Sequence, residues 1–495
     1  PFTLHYVPKM MKYAVDEVNA NPKLLPGIKL GYKIYDTCNQ PSVIVRPTLS
    51  FLTEKYTKVL SVQCNYTDYE TSMVAVIGPN GSEMVSIIGK LLGFFLMPQV
   101  GVSYRATSVK FSDKTVYPSF FRTVPSDKWQ VEVMVQLIKE FQWNWVAVIG
   151  SEEEYGKMGV QEFSKLAEKR SLCVAYQAFI PVYTDPGPTI DDIISNIKTT
   201  NVSVIVVFSL PEAAAVIIHK IIGVWIGTTS WANTNIVSDI PGIQSIGTVI
   251  GFIDKTQSVD LLTEYTQTLF TKISENVNST HTETGSYSSD LCPQCRSLSP
   301  ANISIVEHSA VQQAAFSVYA AIYSVAKALH QLLYCNNSVC DWKPLLQVLK
   351  NISFDINGTK FEYDSDGNPN IGYDVIQWVW NGSNLRFQYV GTYLHNLSID
   401  KALFTWHTED STVRCKKIQL GYRLVIIEFS LSQFNSLQTL QVPVSTCSAN
   451  CEPGQVRRVK GFHSCCFDCI NCQPGTYQAK PGEGSQHKMC SSDRT

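Results

Sequence analysis

The chain has 495 residues, of which 44% are hydrophobic and 17% charged, and its formal net charge is -2. This length exceeds what one hydrophobic core supports, so we expect two large lobes or several domains. The composition excludes a disordered chain, the charge gives no reason to expect nucleic acid as a partner, and no apolar run approaches the roughly 20 residues that cross a bilayer.

The first part of the chain predicts helices alternating with strands. Apolar residues at helical spacing predict helices at residues 1–20, 43–56 and 84–95. Runs of strand-forming residues predict strands at residues 30–35, 74–77, 99–102 and 119–123. A further helix is expected to start at Ser126 and Asp127 and to end near Phe141.

The stretch around Ser82 joins a strand to a helix. Gly78 and Pro79 end the strand, so Ser82 falls at or near a helix N-terminus. Unpaired N–H groups and the helix dipole favour an anion there, including the carboxylate of a small ligand. Two roles are therefore open to Ser82, that of an N-cap and that of a ligand-binding residue. They are compatible, because one hydroxyl can serve an empty helix end or a bound carboxylate.

The middle of the chain continues the alternation. Strands are predicted at residues 145–150, 173–179 and 204–208, and helices at residues 156–169, 190–199 and 211–224. The strands are continuous apolar runs, which indicates parallel sheets covered on both faces and an α/β fold. Ligands of such sheets bind beyond the carboxyl ends of the strands. The loops in that position hold Ser82, Thr107, Asp127, Tyr155 and Thr229.

The later part is less regular. Residues 271–305 are polar and predict a surface loop, in which Cys292 and Cys295 form either a redox or zinc motif or, as we favour, a structural disulfide. Helices are predicted at residues 306–333 and 345–349, and hairpin strands at residues 361–380 and 386–393.

Cysteines and glycosylation triplets indicate an oxidising, extracellular compartment. Seven of the fifteen cysteines lie in residues 447–490, a segment too short to build its own core, so disulfides are expected to hold it. Zinc is the competing interpretation for Cys465, Cys466, Cys469 and Cys472. The expected glycan sites are Asn65, Asn201, Asn278, Asn302, Asn336, Asn351, Asn357, Asn381 and Asn396.

Several stretches resemble the extracellular part of class C G-protein-coupled receptors. They include LPGIKLGY at residues 25–32, FLMPQV at 95–100, PSFFRTVPSD at 118–127 and FSVYAA at 316–321. The stretch GQVRRVKGFHSCC at 454–466 is most similar to type 1 taste receptors.

The resemblance implies a Venus-flytrap domain of two lobes, of the periplasmic-binding-protein type I kind, and then the start of a disulfide-rich domain. Lobe 1 would comprise residues 1–125 and 251–370, and lobe 2 residues 126–250 and 371–410. Residues 411–446 would be a linker or insertion, and residues 447–495 a truncated cysteine-rich domain.

In that family an α-amino acid lies between the lobes. By motif, Ser82 and Thr107 would hold its carboxylate, Asp127 its ammonium group, and Tyr155 would close over it. The expected ligand-binding set is Ser82, Arg105, Ala106, Thr107, Asp127, Tyr155, Thr229 and Ser230.

Three residues depart from the family pattern. Thr229 stands where related receptors usually carry an acidic residue, and Arg105 where a small residue is common. Asp366 replaces a base that glutamate receptors use for a side-chain carboxylate. We therefore expect broad or weak recognition of neutral amino acids.

The same resemblance implies cysteine pairs. Cys173 would link to the cysteine-rich domain, at Cys465, and Cys335 would pair locally with Cys340. Cys64 would bridge two subunits or pair locally. Cys38 would pair upstream of this sequence, and Cys415 has no recognised counterpart.

The expected function is the ligand-binding region of a taste receptor subunit. Its partners would be an L-amino acid or another small tastant, a second type 1 taste receptor subunit in a heterodimer, and a G protein through a membrane domain. No cofactor is expected, apart from a possible chloride or calcium ion. The alternatives are a cation sensor of the calcium-sensing-receptor type, for which the acidic residues at 152–154 would attract the ion, and a subunit whose partner does the sensing.

An enzyme is not expected, because the sequence lacks a nucleophile elbow, an H-E-x-x-H motif and a phosphate-binding loop.

Overall fold

The computed structural model divides the chain into two compact units. The first comprises Pro1–Asp127 and Asp254–Gly372, and the second Lys128–Ile253 and Tyr373–Thr495. The structure describes residues 6–38, 40–60, 69–95, 97, 99–101, 106–255, 267, 309–333, 344–356, 358–382, 384–406, 442–473, 476–477 and 487–488.

The first unit contains five helices and five strands among its described residues. Its helices are α1 (Tyr6–Ala20), α2 (Pro41–Phe51), α3 (Ser82–Phe94), α10 (Ser309–Leu333) and α11 (Pro344–Lys350). Its strands are β1 (Val76–Ile77), β2 (Gln99–Gly101), β3 (Phe120–Arg122), β9 (Ser353–Ile356) and β10 (Thr359–Glu362). A 3-10 turn covers Val109–Ser112.

A small parallel sheet and a helix pair organise the first unit. β1, β2 and β3 pair in that order, with Val76 opposite Gln99 and Gln99 opposite Phe120. α1 packs against α10, because Met10, Ala14 and Val18 on one face of α1 join the core that α10 supplies.

The predicted strand at residues 30–35 is wrong. These residues belong to no strand, and Tyr32, Ile34 and Tyr35 are exposed. The backbone of Leu30 bonds to a side chain instead, since its N–H donates to Asn19 Oδ1 at 2.8 Å and its carbonyl accepts from Asn19 Nδ2 at 3.0 Å. Strand propensity is therefore present here, but none of the described strands pairs with these residues.

The second unit is built on one large sheet. Its helices are α4 (Asp127–Glu140), α5 (Glu154–Lys169), α6 (Gly187–Thr200), α7 (Pro211–Ile218), α8 (Thr229–Ala232) and α9 (Asn235–Ser238). Its strands are β4 (Trp145–Ser151), β5 (Cys173–Ile180), β6 (Val204–Phe208), β7 (Gly223–Gly227), β8 (Gly247–Asp254), β11 (Tyr373–Asn381), β12 (Asn384–Tyr393) and β13 (Leu397–Ile399). Two 3-10 turns cover Ile243–Ser245 and Lys401–Leu403.

The strand order in this sheet is β13-β12-β11-β8-β7-β6-β4-β5. The pairs from β5 to β8 are parallel, and β11, β12 and β13 pair antiparallel. The α/β fold predicted from the sequence is confirmed. The hairpin differs in its bounds, because β11 begins only at Tyr373 and pairs with β12.

Both faces of the sheet are buried at β4 and β6, which explains the continuous apolar runs of these strands. Val146 and Val148 of β4 contribute to one core cluster, and Ala147 and Ile149 to the other. Alternate side chains of a strand point to opposite faces, so a strand covered on both sides needs an apolar residue at every position.

The helix predicted at residues 211–224 is too long. α7 ends at Ile218, and the apolar run that follows belongs to β7. The Gly223 N–H donates to the Ile246 carbonyl at 3.0 Å, and Val224 lies opposite Val204 in the sheet. Periodicity alone does not separate a buried strand from the end of a buried helix.

Three disulfides hold the described part of the cysteine-rich segment. Cys173 of β5 is joined to Cys465, the pair that the resemblance implied, and Cys447–Cys466 and Cys451–Cys469 cross-link the segment itself. β14 (Gln455–Val459) pairs antiparallel with β15 (Phe467–Asn471), which carries Cys469. β16 (Thr476–Tyr477) and β17 (His487–Lys488) follow along the chain. Zinc is excluded at Cys465, Cys466 and Cys469, because their sulfurs are already bonded.

Ser445, just before this segment, is held against the start of β4 by hydrogen bonds. Its carbonyl accepts the N–H groups of Asn144 and Trp145 at 3.0 and 3.1 Å, and its hydroxyl donates to the Trp145 carbonyl. Trp143 Nε1 donates to the Pro443 carbonyl at 2.6 Å. Residues 443–445 are thus held at the amino end of β4, the end opposite to Ser151.

Among the residues that the structure describes, none lies in a helix with both the length and the apolar character needed to cross a bilayer.

Candidate functional site

Ser82 is the first residue of α3 and is not its N-cap. Gly81 takes the N-cap position with φ of 108°, a conformation that glycine adopts more easily than residues with a Cβ. Interpreting Ser82 as the N-cap was therefore wrong. Its hydroxyl is buried and accepts the N–H of Ser108 at 3.4 Å. Ser82 thus faces the loop that follows β2 along the chain.

That loop carries two of the predicted ligand-binding residues. Ala106 and Thr107 are buried, and so is Ser108 beside them. The hydroxyls of Thr107 and Ser108 find no hydrogen-bond partner within the part of the chain that the structure describes. A buried hydroxyl without a hydrogen-bond partner destabilises the fold. The place where Ser82 meets residues 106–108, called here the corner of the first unit, therefore offers two donors to a small polar ligand.

Asp127 lies at the same corner. It begins α4, its side chain is buried, and its N–H donates to the Thr107 carbonyl at 2.8 Å. The structure therefore brings Ser82, Ala106, Thr107 and Asp127 together in the first unit. Arg105 lies outside the described residues.

Arg122 is a residue of this corner whose role the sequence did not reveal. Its guanidinium is fully buried and donates to the carbonyls of Thr107 and Ser108 and to Asn368 Oδ1. Arg122 lies within the family-like stretch at 118–127. Its contact with Asn368, 246 positions away, could not be predicted from the local sequence.

Lys114 adds a second cation beside this corner. Its ammonium group donates to the Phe120 carbonyl and lies 5.3 Å from the ring centre of Phe121. Burial, followed by the charge of Arg122, lowers the pKa of Lys114 to about 7, while Asp366 and Asp364 act in the opposite direction. Asp366, expected to disfavour acidic ligands, therefore faces a lysine of its own unit.

We expect Lys114 to make the first unit more stable as the pH rises. The pKa of Lys114 in the folded protein, about 7, lies below the 10.5 of an ordinary lysine, so the unfolded chain binds the proton more tightly between these two pH values. The free energy of unfolding should rise by about 2 kcal/mol between pH 7 and 9 from this group alone. Competitive acetylation, with a peptide lysine as reference, would measure the midpoint directly. A midpoint above about 9.5 would contradict this prediction.

Tyr155 is positioned by the start of α5 in the second unit. Glu153 is the N-cap, and its carboxylate accepts the N–H of Tyr155 at 2.7 Å and of Gly156 at 3.0 Å. The Ser151 hydroxyl donates to the same carboxylate at 2.8 Å. Glu153 thus serves the helix end, which weakens the idea that the acidic residues at 152–154 attract a cation. Because glutamate is not a typical N-cap residue, this role of Glu153 could not be predicted from local sequence.

Two glycines let α5 approach the sheet closely. A Cβ on Gly156 would lie 2.2 Å from the Ser151 carbonyl oxygen, and a Cβ on Gly159 would lie 2.4 Å from the Phe208 ring. This contact presses the helix onto β4 and β6. Tyr155, which is buried, therefore has its backbone fixed by both the cap and the close approach.

Thr229 and Ser230 form the first residues of the short helix α8, beyond the carboxyl end of β7. Thr229 Oγ1 accepts from Gln130 Nε2 at 2.8 Å. The hydroxyls of Ser209, Thr228 and Ser230 are buried and lack a hydrogen-bond partner in the described chain. The second unit thus has its own cluster of buried donors at the carboxyl ends of β6 and β7.

Other predicted site residues cannot be placed. Outside the described residues lie Cys64, Cys292, Cys295, Cys335, Cys340, Asn65, Asn278, Asn302, Asn336 and Asn357. Within the described ranges, no three His, Cys, Asp or Glu side chains come together in a way that could hold a metal ion.

Comparison with known proteins adds family matches over most of the chain. Residues 8–381 match the receptor family ligand binding region, and residues 442–495 match the nine cysteines domain of family 3 GPCR. The first match includes every residue of both clusters described above.

Curated relatives match nearly the whole chain. It is 36% identical over 496 residues to human taste receptor type 1 member 3, covering 96% of this chain and 54% of the relative. The mouse protein of that name is 34% identical with the same coverage. Mouse taste receptor type 1 member 1 is 32% identical, covering 94% of this chain and 53% of the relative. The chain thus spans about half the length of these relatives.

Proposed function

This chain belongs to the class C G-protein-coupled receptors, as a ligand-binding extracellular region, and we propose that it senses amino acids or other small tastants as part of a type 1 taste receptor. The matched family and the relatives are receptors, so the chain is not an enzyme. Two points are proposed, namely that the ligand is an amino acid and that the lobes respond to its binding.

The proposal rests mainly on one observation: buried hydroxyl groups lie beside the start of α3, at the corner of the first unit. Thr107 and Ser108 have hydroxyls to donate, and Ser82 lies at a helix N-terminus, where the dipole favours negative charge. These groups suit a ligand carboxylate. The buried carboxyl group of Asp127, at the same corner, suits the ligand ammonium group.

The second unit is proposed to complete recognition. Tyr155, Thr229 and Ser230 are buried at the ends of strands, and the hydroxyl of Ser230 is available as a donor. A ligand that binds groups of both units favours the arrangement in which both can reach it. Closure of the lobes on the ligand is therefore the proposed signal to the membrane domain.

Neutral amino acids are the proposed ligand class. Thr229 supplies a hydroxyl where relatives of the family usually carry a carboxylate, so the ammonium group depends mainly on Asp127. Asp366 lies near Lys114 and brings negative charge to the first unit, which disfavours an acidic ligand side chain. Arg105 would either add an anion donor or crowd the site.

A second type 1 taste receptor subunit is the proposed partner. The packed helices α2 and α3 expose Val45, Leu49, Ile87 and Phe94, an apolar surface that suits a heterodimer. The G protein would couple through the membrane domain. A location at the cell membrane, facing outward, agrees with the disulfides, and the glycan sites that the structure describes are exposed: Asn201, Asn351, Asn381 and Asn396.

Isothermal titration calorimetry of the purified chain tests the proposal. We expect heat of binding with L-alanine, L-serine or L-glutamine, and weaker binding of L-glutamate. Titration with calcium chloride, and a comparison of sodium chloride with sodium gluconate, test the possible bound ion. Binding of calcium without amino acids would favour the cation sensor, and silence with every amino acid would assign sensing to the partner subunit.

A further inference from the structure

We propose that Arg122 is a positioning residue for ligand recognition, which holds residues 106–108 in the orientation that presents their donors to a carboxylate. The inference rests on the proposed function, since it assigns this loop to the ligand. Arg122 is fully buried, and its guanidinium donates to the carbonyls of Thr107 and Ser108 in this loop. The argument follows from the peptide group between Thr107 and Ser108.

The carbonyl of that peptide group is fixed by two donors. Arg122 Nη1 donates to it at 2.7 Å, and the N–H of Asp127 donates to it at 2.8 Å. The N–H of a trans peptide points away from its carbonyl. The N–H of Ser108 is therefore directed away from Arg122, and it reaches Ser82 Oγ at 3.4 Å. The hydrogen bond from Arg122 thus orients residues 106–108 toward the start of α3.

The same guanidinium holds three further acceptors. Nη1 also donates to the Ser108 carbonyl at 2.9 Å, Nη2 to Ser112 Oγ at 2.6 Å, and Nε to Asn368 Oδ1 at 2.7 Å. Because Nη1 binds the consecutive carbonyls of Thr107 and Ser108, the rotation of both of their peptide groups is restricted. The planar fork of arginine can meet acceptors in several directions, whereas lysine offers a single ammonium group.

The turn at residues 364–368, distant along the chain, fixes the position of the Arg122 guanidinium. Asn368 Nδ2 donates to Asp364 Oδ2 at 2.9 Å, and the Asn368 N–H donates to Asp364 Oδ1 at 2.8 Å. The backbone N–H of Arg122 also donates to the Gly367 carbonyl at 3.0 Å. The turn at residues 364–368 therefore supports the ligand loop through Arg122, and a change in the turn should weaken binding without contact to the ligand.

Two variants of the full chain test the inference, Arg122→Lys and Asn368→Ala. Hydrogen exchange without ligand should show the amides of Ser108 and Asp127 exchanging at least about 10-fold faster, while amides of α10 keep their protection. Affinity for L-alanine should fall about 10-fold in Asn368→Ala and further in Arg122→Lys. Thr115→Ala is the matched control, because Thr115 is exposed and its hydroxyl bonds only to Asp113 in this region.

Unchanged exchange at Ser108 and Asp127 would overturn the inference. So would an equal acceleration in α10, which would mean that Arg122 supports the unit as a whole, and so would full affinity in spite of faster exchange. If Arg122→Lys does not fold, Asn368→Ala decides the question. Failure of the unmodified chain to bind L-alanine counts against the proposed function alone, because the exchange experiment needs no ligand.

Discussion

Alanine at both Ser82 and Thr107 is expected to weaken amino-acid binding by at least about 100-fold. Each hydroxyl is proposed to bond to the ligand carboxylate, and a hydrogen bond to a charged group contributes about 1.5–3 kcal/mol. Losing two such bonds corresponds to about 3–6 kcal/mol, and every 1.4 kcal/mol is about tenfold in affinity. Calorimetric titration of the double variant with L-alanine measures the loss.

The matched control for this variant is Ser164→Ala with Thr199→Ala. Both residues lie on helices of the second unit, with Ser164 bonded to Gln177 and Thr199 to the Asn196 carbonyl, away from the proposed site. The control should bind like the unmodified chain, and the circular dichroism of both variants should match it. Full affinity in the Ser82 and Thr107 variant would place ligand recognition elsewhere, either at other residues of this chain or in the partner subunit.

Local pattern was enough to predict the central strands of the large sheet of the second unit. β4 and β6 are continuous apolar runs bounded by turn residues, and such runs have few other ways to fold in a chain of this length. Because ligand loops follow the carboxyl ends of such strands, the placement of Tyr155 and Thr229 could be predicted together with the sheet.

Residues that depend on distant contacts could not be predicted in the same way. Residues 30–35 have strand propensity, yet they form no strand, because pairing depends on a neighbour that propensity does not reveal. Arg122 lies inside a recognisable motif, but its function requires Asn368 from another part of the chain. The role of Glu153 as an N-cap was hidden for another reason, since its neighbours suggested a simple acidic loop.

Alanine at Gly156 is expected to lower the free energy of unfolding of the second unit by about 3 kcal/mol, at the upper end of the usual cost of overpacking. In an ordinary helix this change stabilises by up to about 1 kcal/mol, so the sign itself is informative. The new Cβ would lie 2.2 Å from the carbonyl oxygen of Ser151 and 2.5 Å from its nitrogen. Both atoms belong to the buried strand β4, and neither can rotate away as a side chain could.

The clash should also reach the candidate site. Moving the first turn of α5 away from β4 displaces Tyr155 and breaks the bonds from Tyr155 and Gly156 to Glu153. Thermal unfolding and hydrogen exchange of the second unit would measure the effect. Gly187→Ala is the control, since its Cβ would meet only the Asp185 carboxylate at 3.4 Å, and it should change stability by less than about 0.5 kcal/mol. If Gly156→Ala proves as stable as this control, α5 can shift on the sheet, and Tyr155 is not held in advance for a ligand.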